Sequence, residues 1–434
     1  MRILELHAPY FRDRWRRDHD VLAWGNAPHV DVRASGTATH LHQILERLPA
    51  GWTPDVILFG DDCQLLRVVG LEDAPCPTAF LSVDAQHHAS WHAHVAAACN
   101  EVFVAQRDYL PVYRDAGVEN PHWLPLWAPD DVAPPVEPPV HDLAFVGTLD
   151  AGLNPERVRF VDGVRARVPG FYIGTGAWAP VYARSRMVLN QTVGGDLNFR
   201  VFEGLASGAL LVTEQTRNGL LDLFADGEDC VTYPRGDVAA VAALVERYRA
   251  DDVARRAIAA RGRDAVLAAH CERHRADVVL GRLAAPAARP RAGRRHTGLA
   301  RAYCLLARNA AEVGARIADT QLYPRLRALY LTAATVLAHG RHVEEPDRSA
   351  VLGMVAIERG EVTRGLGFLA RAVQQGGRPE EHLVRIETLI RLGDMRRARA
   401  AAETLEVCHP GYELSAALVA ALGVLDVAPP VERG

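Results

Sequence analysis

Arg200 and Glu203 stand three residues apart, the spacing that puts two side chains on one face of a helix. The stretch around them, Asn198 to Thr213, reads as a helix, a stop and a buried strand. Asn198 is a helix-capping type, Val201, Leu205 and Ala206 recur at helical spacing, and Gly208 stands where a left-handed residue ends a helix. Ala209 to Val212 is a short apolar run, the form of a strand covered on both faces. A helix N-terminus offers unpaired N–H groups and partial positive charge, which hold a phosphate. An arginine beside it suits a diphosphate, and a carboxylate one turn on suits sugar or ribose hydroxyls. The same spacing also describes an ordinary solvated arginine–glutamate pair on a crossover helix, and these residues alone leave both readings open.

A second loaded stretch follows the apolar run Ala79–Val83: Asp84, then His87, His88, Trp91, His92 and His94. His88 and His92 are four apart, so a helix brings both imidazoles to one face. A metal can use that spacing, but it needs a further ligand and outer partners that the sequence does not offer. The other reading is a polar lining at the end of a parallel strand, where ligands sit. A third stretch is Gly147-Thr148, which ends the run Leu143–Val146 before Asn154-Pro155-Glu156 and Arg157 open a helix with proline at its first position. Such a loop approaches a phosphorylated ligand closely, although strand-to-helix turns use glycine for their own reasons. Gly194-Gly195 gives the chain similar freedom just before Asn198.

The elements that must hold these residues form two α/β patterns. Residues 1 to about 127 alternate apolar runs (Ile3–Leu6, Val56–Phe59, Ala79–Val83, Val102–Ala105, Trp123–Leu126) with helical segments, the signature of parallel βα units. A connection rich in proline and acid, Ala128–Val140, marks a boundary. The second pattern has strands expected at Leu143–Gly147, Phe171–Gly174, Met187–Asn190, Leu210–Thr213 and Cys230–Tyr233, closed by helices to about residue 283. After an arginine-containing connection at 284–298, the chain is helical only. There Gly360 superimposes on Gly393 at an offset of 33 residues, near the period of tetratricopeptide helix pairs. Such pairs form an interaction surface for a protein partner, or an alanine-rich bundle that stabilises the rest. Domains are therefore expected at 1–130, 141–283 and 299–434.

The 434 residues suffice for two or three cores, and a net charge of −4 gives no case for a nucleic-acid or acidic-membrane partner. Seven cysteines, odd in number and without CxxC spacing, fit reduced thiols in a cytoplasm. The N-terminus lacks a signal-peptide core, and no apolar run has the length of a membrane span. The expected location is cytoplasmic.

Arg200-Val-Phe-Glu203, Ala206-Ser-Gly208 and the strand after them, with Phe145-Val-Gly147, Val102-Phe-Val-Ala-Gln106 and Trp123-Leu-Pro-Leu126, give the chain a wider likeness. Residues 1 to about 283 resemble a glycosyltransferase of the two-Rossmann GT-B fold, and more narrowly the group-1-like family of spore-maturation-protein type. The resemblance implies two Rossmann-like domains facing a cleft: the second binds a nucleoside diphosphate sugar, the first an unidentified acceptor. It implies a hexosyltransferase that needs no metal and no cofactor beyond that co-substrate. Gly147, Thr148, Arg157, Asn198, Arg200 and Glu203 would hold the donor, Glu203 at the ribose. Asp84, His88 and His92 are the implied groups at the acceptor hydroxyl, with His87 beside them. Retaining members often carry a second acid eight residues before the ribose-binding one, and this chain has Gly195 there, next to Asp196. The expected outcome is retention. The alternative is a catalytically inactive binding or scaffolding protein that kept the fold and recruits a partner through its helical tail; a sugar-nucleotide epimerase would also share the fold.

Overall fold

The computed structural model describes residues 1–34, 39–317, 321–412 and 415–425. The first unit holds strands β1 (Arg2–His7), β2 (Asp20–Gly25), β3 (Val32–Arg33), β4 (Thr39–His40), β5 (Val56–Gly60), β6 (Val68–Val69), β7 (Thr78–Ser82), β8 (Glu101–Val104) and β9 (His122–Trp123). Seven form a parallel sheet in the order β3-β2-β1-β5-β7-β8-β9, while β4 and β6 pair apart from it. All five residues of β5 and of β7 are buried, as uninterrupted apolar runs require when helices cover both faces. The short run Val21–Trp24, not among the expected strands, forms most of β2.

The second unit holds β10 (His141–Val146), β11 (Phe171–Gly174), β12 (Ser185–Asn190), β13 (Leu210–Glu214) and β14 (Val231–Tyr233), parallel in the order β11-β10-β12-β13-β14. Strand order reverses at β1/β5 in the first sheet and at β10/β12 in the second. Chains leaving those strands diverge to opposite faces, and the crevice beyond their C-terminal ends is where open α/β sheets take ligands.

The helix Glu272–Ala284 crosses back from the second unit to the first. The Trp15 indole donates to the Ala276 carbonyl (3.3 Å), and the buried Arg275 guanidinium donates to the carbonyls of Pro125 (2.6 Å) and Leu126 (3.3 Å). Backbone bonds tie Ala128 to His270 and Glu272. One apolar cluster accordingly runs from Ile3 and Phe11 through Trp127 to Phe202 and Val279, which sets the two units against each other.

From Ala292 on, the described chain is helical. The long helix Ala292–Arg316 lies on the helix Ala85–Ala96, so closely that a Cβ on Gly298 would stand 2.6 Å from the His94 carbonyl oxygen. Tyr303 accepts from the Gly70 N–H (3.2 Å), and Tyr330 donates to the Leu66 carbonyl. The first unit's core thus continues through Tyr303 and Tyr330 to Met354. Further out, helix Asp347–Glu358 pairs with Val362–Gln374, and Pro379–Arg391 with Met395–Cys408. Gly360 and Gly393 turn the two pairs identically, at φ +85° and +74°, each donating to the carbonyl three residues before it. That shared left-handed turn is the physical content of the 33-residue offset.

Candidate active site

Arg200 straddles the switch point of the second sheet. Its Nε donates to the Val146 carbonyl at the end of β10 (3.1 Å), and its Nη1 donates to Asn190 Oδ1 at the end of β12 (3.1 Å). The guanidinium lies over the Phe145 ring, 4.5 Å from its centroid. Asn190 is itself fixed, its Nδ2 donating to Thr213 Oγ1 (3.0 Å) and its carbonyl accepting from the Tyr233 hydroxyl (2.7 Å). The guanidinium occupies the space a Cβ on Gly147 would need, so glycine at 147 lets Arg200 lie across the loop.

Arg157 reaches the same place from the first turn of the helix Pro155–Arg167. It is buried and donates to Gln191 Oε1 (2.8 Å) and to the Gln191 carbonyl (3.4 Å). Burial, then the neighbouring Arg200 charge, pulls its guanidinium down to about 10. Two helices therefore start at this spot with an arginine in the first turn, and neither is capped by a side chain. Asn198 occupies the cap position of the helix Phe199–Ala206 without capping it. Its amide oxygen and nitrogen are both buried without a hydrogen-bond partner, which corrects the capping expectation. Thr148 is exposed on the loop after β10.

Glu203 lies one turn beyond Arg200, half-buried, with no hydrogen bond to its carboxylate among the described residues. Burial pushes its carboxyl up to about 7, against the pull of Arg200. Asp196 is buried, accepts from the Val193 N–H (2.7 Å), and is raised by burial to about 6. Gly194 and Gly195 both have left-handed backbones, φ +66° and +78°. The Gly195 carbonyl is held by the Thr216 hydroxyl and by Asn218 Nδ2 (2.9 Å).

The first unit supplies the facing wall. Asp84, half-buried at the end of β7, accepts from Gln86 Nε2 (2.9 Å) and from the Cys63 thiol. The loop carrying it hangs on Asp61, which sequence reasoning missed. Asp61 Oδ2 accepts from the N–H groups of Val83 (3.2 Å) and Asp84 (2.8 Å), Oδ1 accepts from the Cys63 N–H (2.9 Å), and the Asp61 carbonyl accepts from the Tyr10 hydroxyl (2.6 Å). The only signal available was a polar pair, Asp61-Asp62, directly after the run Val56–Gly60.

His88 and His92 are neighbours, with ring centroids 5.3 Å apart, but they face different surroundings. His88 is half-buried at the cleft, and burial lowers its pKa. His92 is fully buried. Its Nδ1 meets Ser82 Oγ (2.9 Å), which accepts from the Tyr113 hydroxyl (2.6 Å), and its Nε2 stands 3.7 Å from Asp61 Oδ1. Burial lowers it to about 4. This neutral imidazole lies beneath Asp61, behind the loop, and is not exposed to the cleft. His87 is exposed, and His94 is buried against the helix from Ala292. Among the described residues, no three His, Cys, Asp or Glu side chains are grouped to hold a metal ion.

The two walls meet. Leu197 N–H donates to Gln106 Oε1 (2.8 Å), Asp108 N–H donates to Asn218 Oδ1 (3.0 Å), and Trp127 packs edge-on against Phe199 at 5.3 Å. A Cβ on Gly194 would stand 3.7 Å from Gln86 Cγ. Asp84 is near enough to Asp196 to help raise it. The result is a cleft with two arginines, two uncapped helix starts and a half-buried carboxyl on one side, and an aspartate with polar neighbours on the other. One side suits a diphosphate and a hydroxyl-bearing ring, the other a hydroxyl group.

Residues 157–281 match the family model described as glycosyl transferase-like. That span contains Arg157, Asn198, Arg200 and Glu203. Among solved structures, Anabaena Alr3699/HepE in complex with UDP-glucose is similar at a TM-score of 0.54 and 12% identity, over 65% of this chain and 99% of that one. The same Anabaena protein in complex with UDP and glucose gives 0.53 at 12% identity, over 65% and 99%. At such identity the likeness shows the fold: two facing parallel-sheet units in the GT-B arrangement, here followed by an all-helical region. No curated protein matches the sequence. No helix among the described residues is long and apolar enough to cross a membrane.

Proposed function

We propose that this protein is a glycosyltransferase that takes a sugar from a nucleoside diphosphate sugar and passes it to an acceptor hydroxyl in the cleft. The observation that carries the reading is the pair Arg157 and Arg200, converging on the strand-order switch of the second sheet from the first turns of two uncapped helices. A diphosphate seated there meets two guanidinium groups and two helix starts fixed before it arrives. Those groups neutralise the leaving diphosphate without a metal ion. Glu203, one turn further, accepts hydrogen bonds from the ribose hydroxyls when ionised. The neighbour's complex with UDP-glucose supports a nucleotide sugar as the donor class.

Asp84 and His88 face the acceptor, and His92 acts through Asp61 and Ser82. Gly195 leaves room beside the donor where an acid would stand, while Asp196 is tied inward to the Val193 N–H. Retention under those conditions relies on the departing diphosphate as the base for the incoming hydroxyl. The helix pairs after Asp347 are read as tetratricopeptide-like and as the surface for a protein partner. The absent acid at 195 also favours a second reading, an inactive binding protein on the same fold.

A thermal-shift panel of uridine, guanosine and thymidine diphosphates tests the first reading. One of them raises the Tm of the wild type by mass action and does so less for Glu203→Ala; no shift with any of them contradicts it. Slow hydrolysis of the matching nucleotide sugar then excludes the inactive reading.

A further inference from the structure

We propose that the protein carries a second anion site, remote from the cleft, for a small polyanion bearing several phosphate or carboxylate groups. The site is a groove of about 860 Å³ behind the first unit, a size that takes a small ligand. It opens at the N-terminal ends of β8 and β9, next to Asn100, Glu101 and His122, whereas Asp84 and Asp61 stand at C-terminal strand ends. The ligand of the cleft therefore cannot reach it.

Five arginines from four segments converge on the groove: Arg114, Arg282, Arg289, Arg291 and Arg294. The acids within it are already engaged. Glu101 accepts from the Ala287 N–H (2.6 Å) and lies 3.1 Å from His122 Nε2, and Glu119 pairs with Arg294 at 2.7 Å. Arg289 donates to the Glu72 carbonyl (3.1 Å). Arg114, Arg282 and Arg291 form no ion pair among the described residues and are exposed. Three guanidinium groups without an ion partner leave the groove with unbalanced positive charge, which a bound anion offsets. The 25-residue helix Ala292–Arg316 begins here with Arg291 at its cap position and no side-chain cap, which adds unpaired N–H groups and the positive end of a long dipole.

Among the described residues the lining contains no Phe, Tyr or Trp, so it offers no stacking platform for nucleic-acid bases. Its pattern of forked donors instead fits separate anionic groups on one compact molecule. The site is independent of the cleft's donor.

Calorimetric titration of the full-length protein with inorganic tripolyphosphate, and separately with citrate, at low salt tests this. The prediction is a saturable component that weakens at least tenfold in Arg282→Ala/Arg291→Ala, two exposed positions whose replacement leaves the melting curve in place. Tripolyphosphate binding alone assigns phosphate chemistry; citrate binding at the same variant-sensitive site assigns carboxylates. Absence of saturable binding by both ligands, or an isotherm unchanged by the double substitution, overturns the proposal.

Discussion

The two walls of the cleft occupy equivalent positions, the C-terminal ends of parallel strands at a strand-order switch, yet they carry opposite chemistry. The second unit presents Arg157 and Arg200, with their backbone and amide partners fixed. The first presents Asp61, Asp62 and Asp84, with a histidine beneath them kept neutral by burial. The fold supplies the place, and the side chains supply the sign. On the proposed reading the cationic end takes the diphosphate, and the acidic end is left for a group that must give up a proton.

Removing the central residue of each wall should separate their roles. Asp61→Ala strips acceptors from three backbone N–H groups, that of Val83 buried and those of Asp84 and Cys63 partly so, and should cost about 3 kcal/mol in urea unfolding. Nucleotide binding by the folded fraction should survive, since Asp61 lies on the other wall. Arg200→Ala should do the reverse. It loses two hydrogen bonds, about 1–3 kcal/mol of stability, and it should abolish the nucleotide-induced rise in Tm. Equal loss of nucleotide binding in both variants would contradict the division of roles.

These two residues also mark how far the sequence could be read. Arg200 and Glu203 were legible because helical spacing and a following apolar run are local features. Asp84 was legible because it ends a strand. Asp61 was not, since its role arises only when β5 and β7 lie side by side and its carboxylate spans from one strand end to the other. His92 illustrates the opposite failure. Its spacing from His88 is helical, but the helix turns His92 under Phe80 and Ser82, and sequence spacing does not show how a helix is rotated on its sheet. The continuity of the helices after Ala292 with the first unit's core was hidden for the same reason, because it rests on tertiary contacts such as Tyr330 with Leu66. β2 escaped notice because its apolar run is only Val21–Trp24.

A smaller effect sharpens the cationic wall. Glu203 is raised to about 7, so it ionises as pH climbs from 6 to 8, and under the proposed donor pose only the ionised form accepts from both ribose hydroxyls. Nucleotide affinity should rise by a few fold across that window, and Glu203→Gln should flatten the profile. Folding stability runs the other way. The folded state holds a proton on Glu203 between pH 4.5 and about 7 that the unfolded state has lost, so this group's contribution falls as pH rises through that range. The smallest effect is expected at Gly195. A Cβ there would stand 3.9 Å from Thr216 Oγ1, so Gly195→Ala meets no clash and pays only for a left-handed backbone, about 1 kcal/mol in the same unfolding assay.

Binding of a nucleoside diphosphate by the arginine-bearing wall is what the proposed function stands on. Calorimetric titration of the wild type and Arg200→Ala with the diphosphate that shifts the melting curve tests it most directly. The wild type should show one saturable site, and the variant at least a tenfold loss of affinity. Equal affinity in the two proteins, with the variant folded, would contradict it.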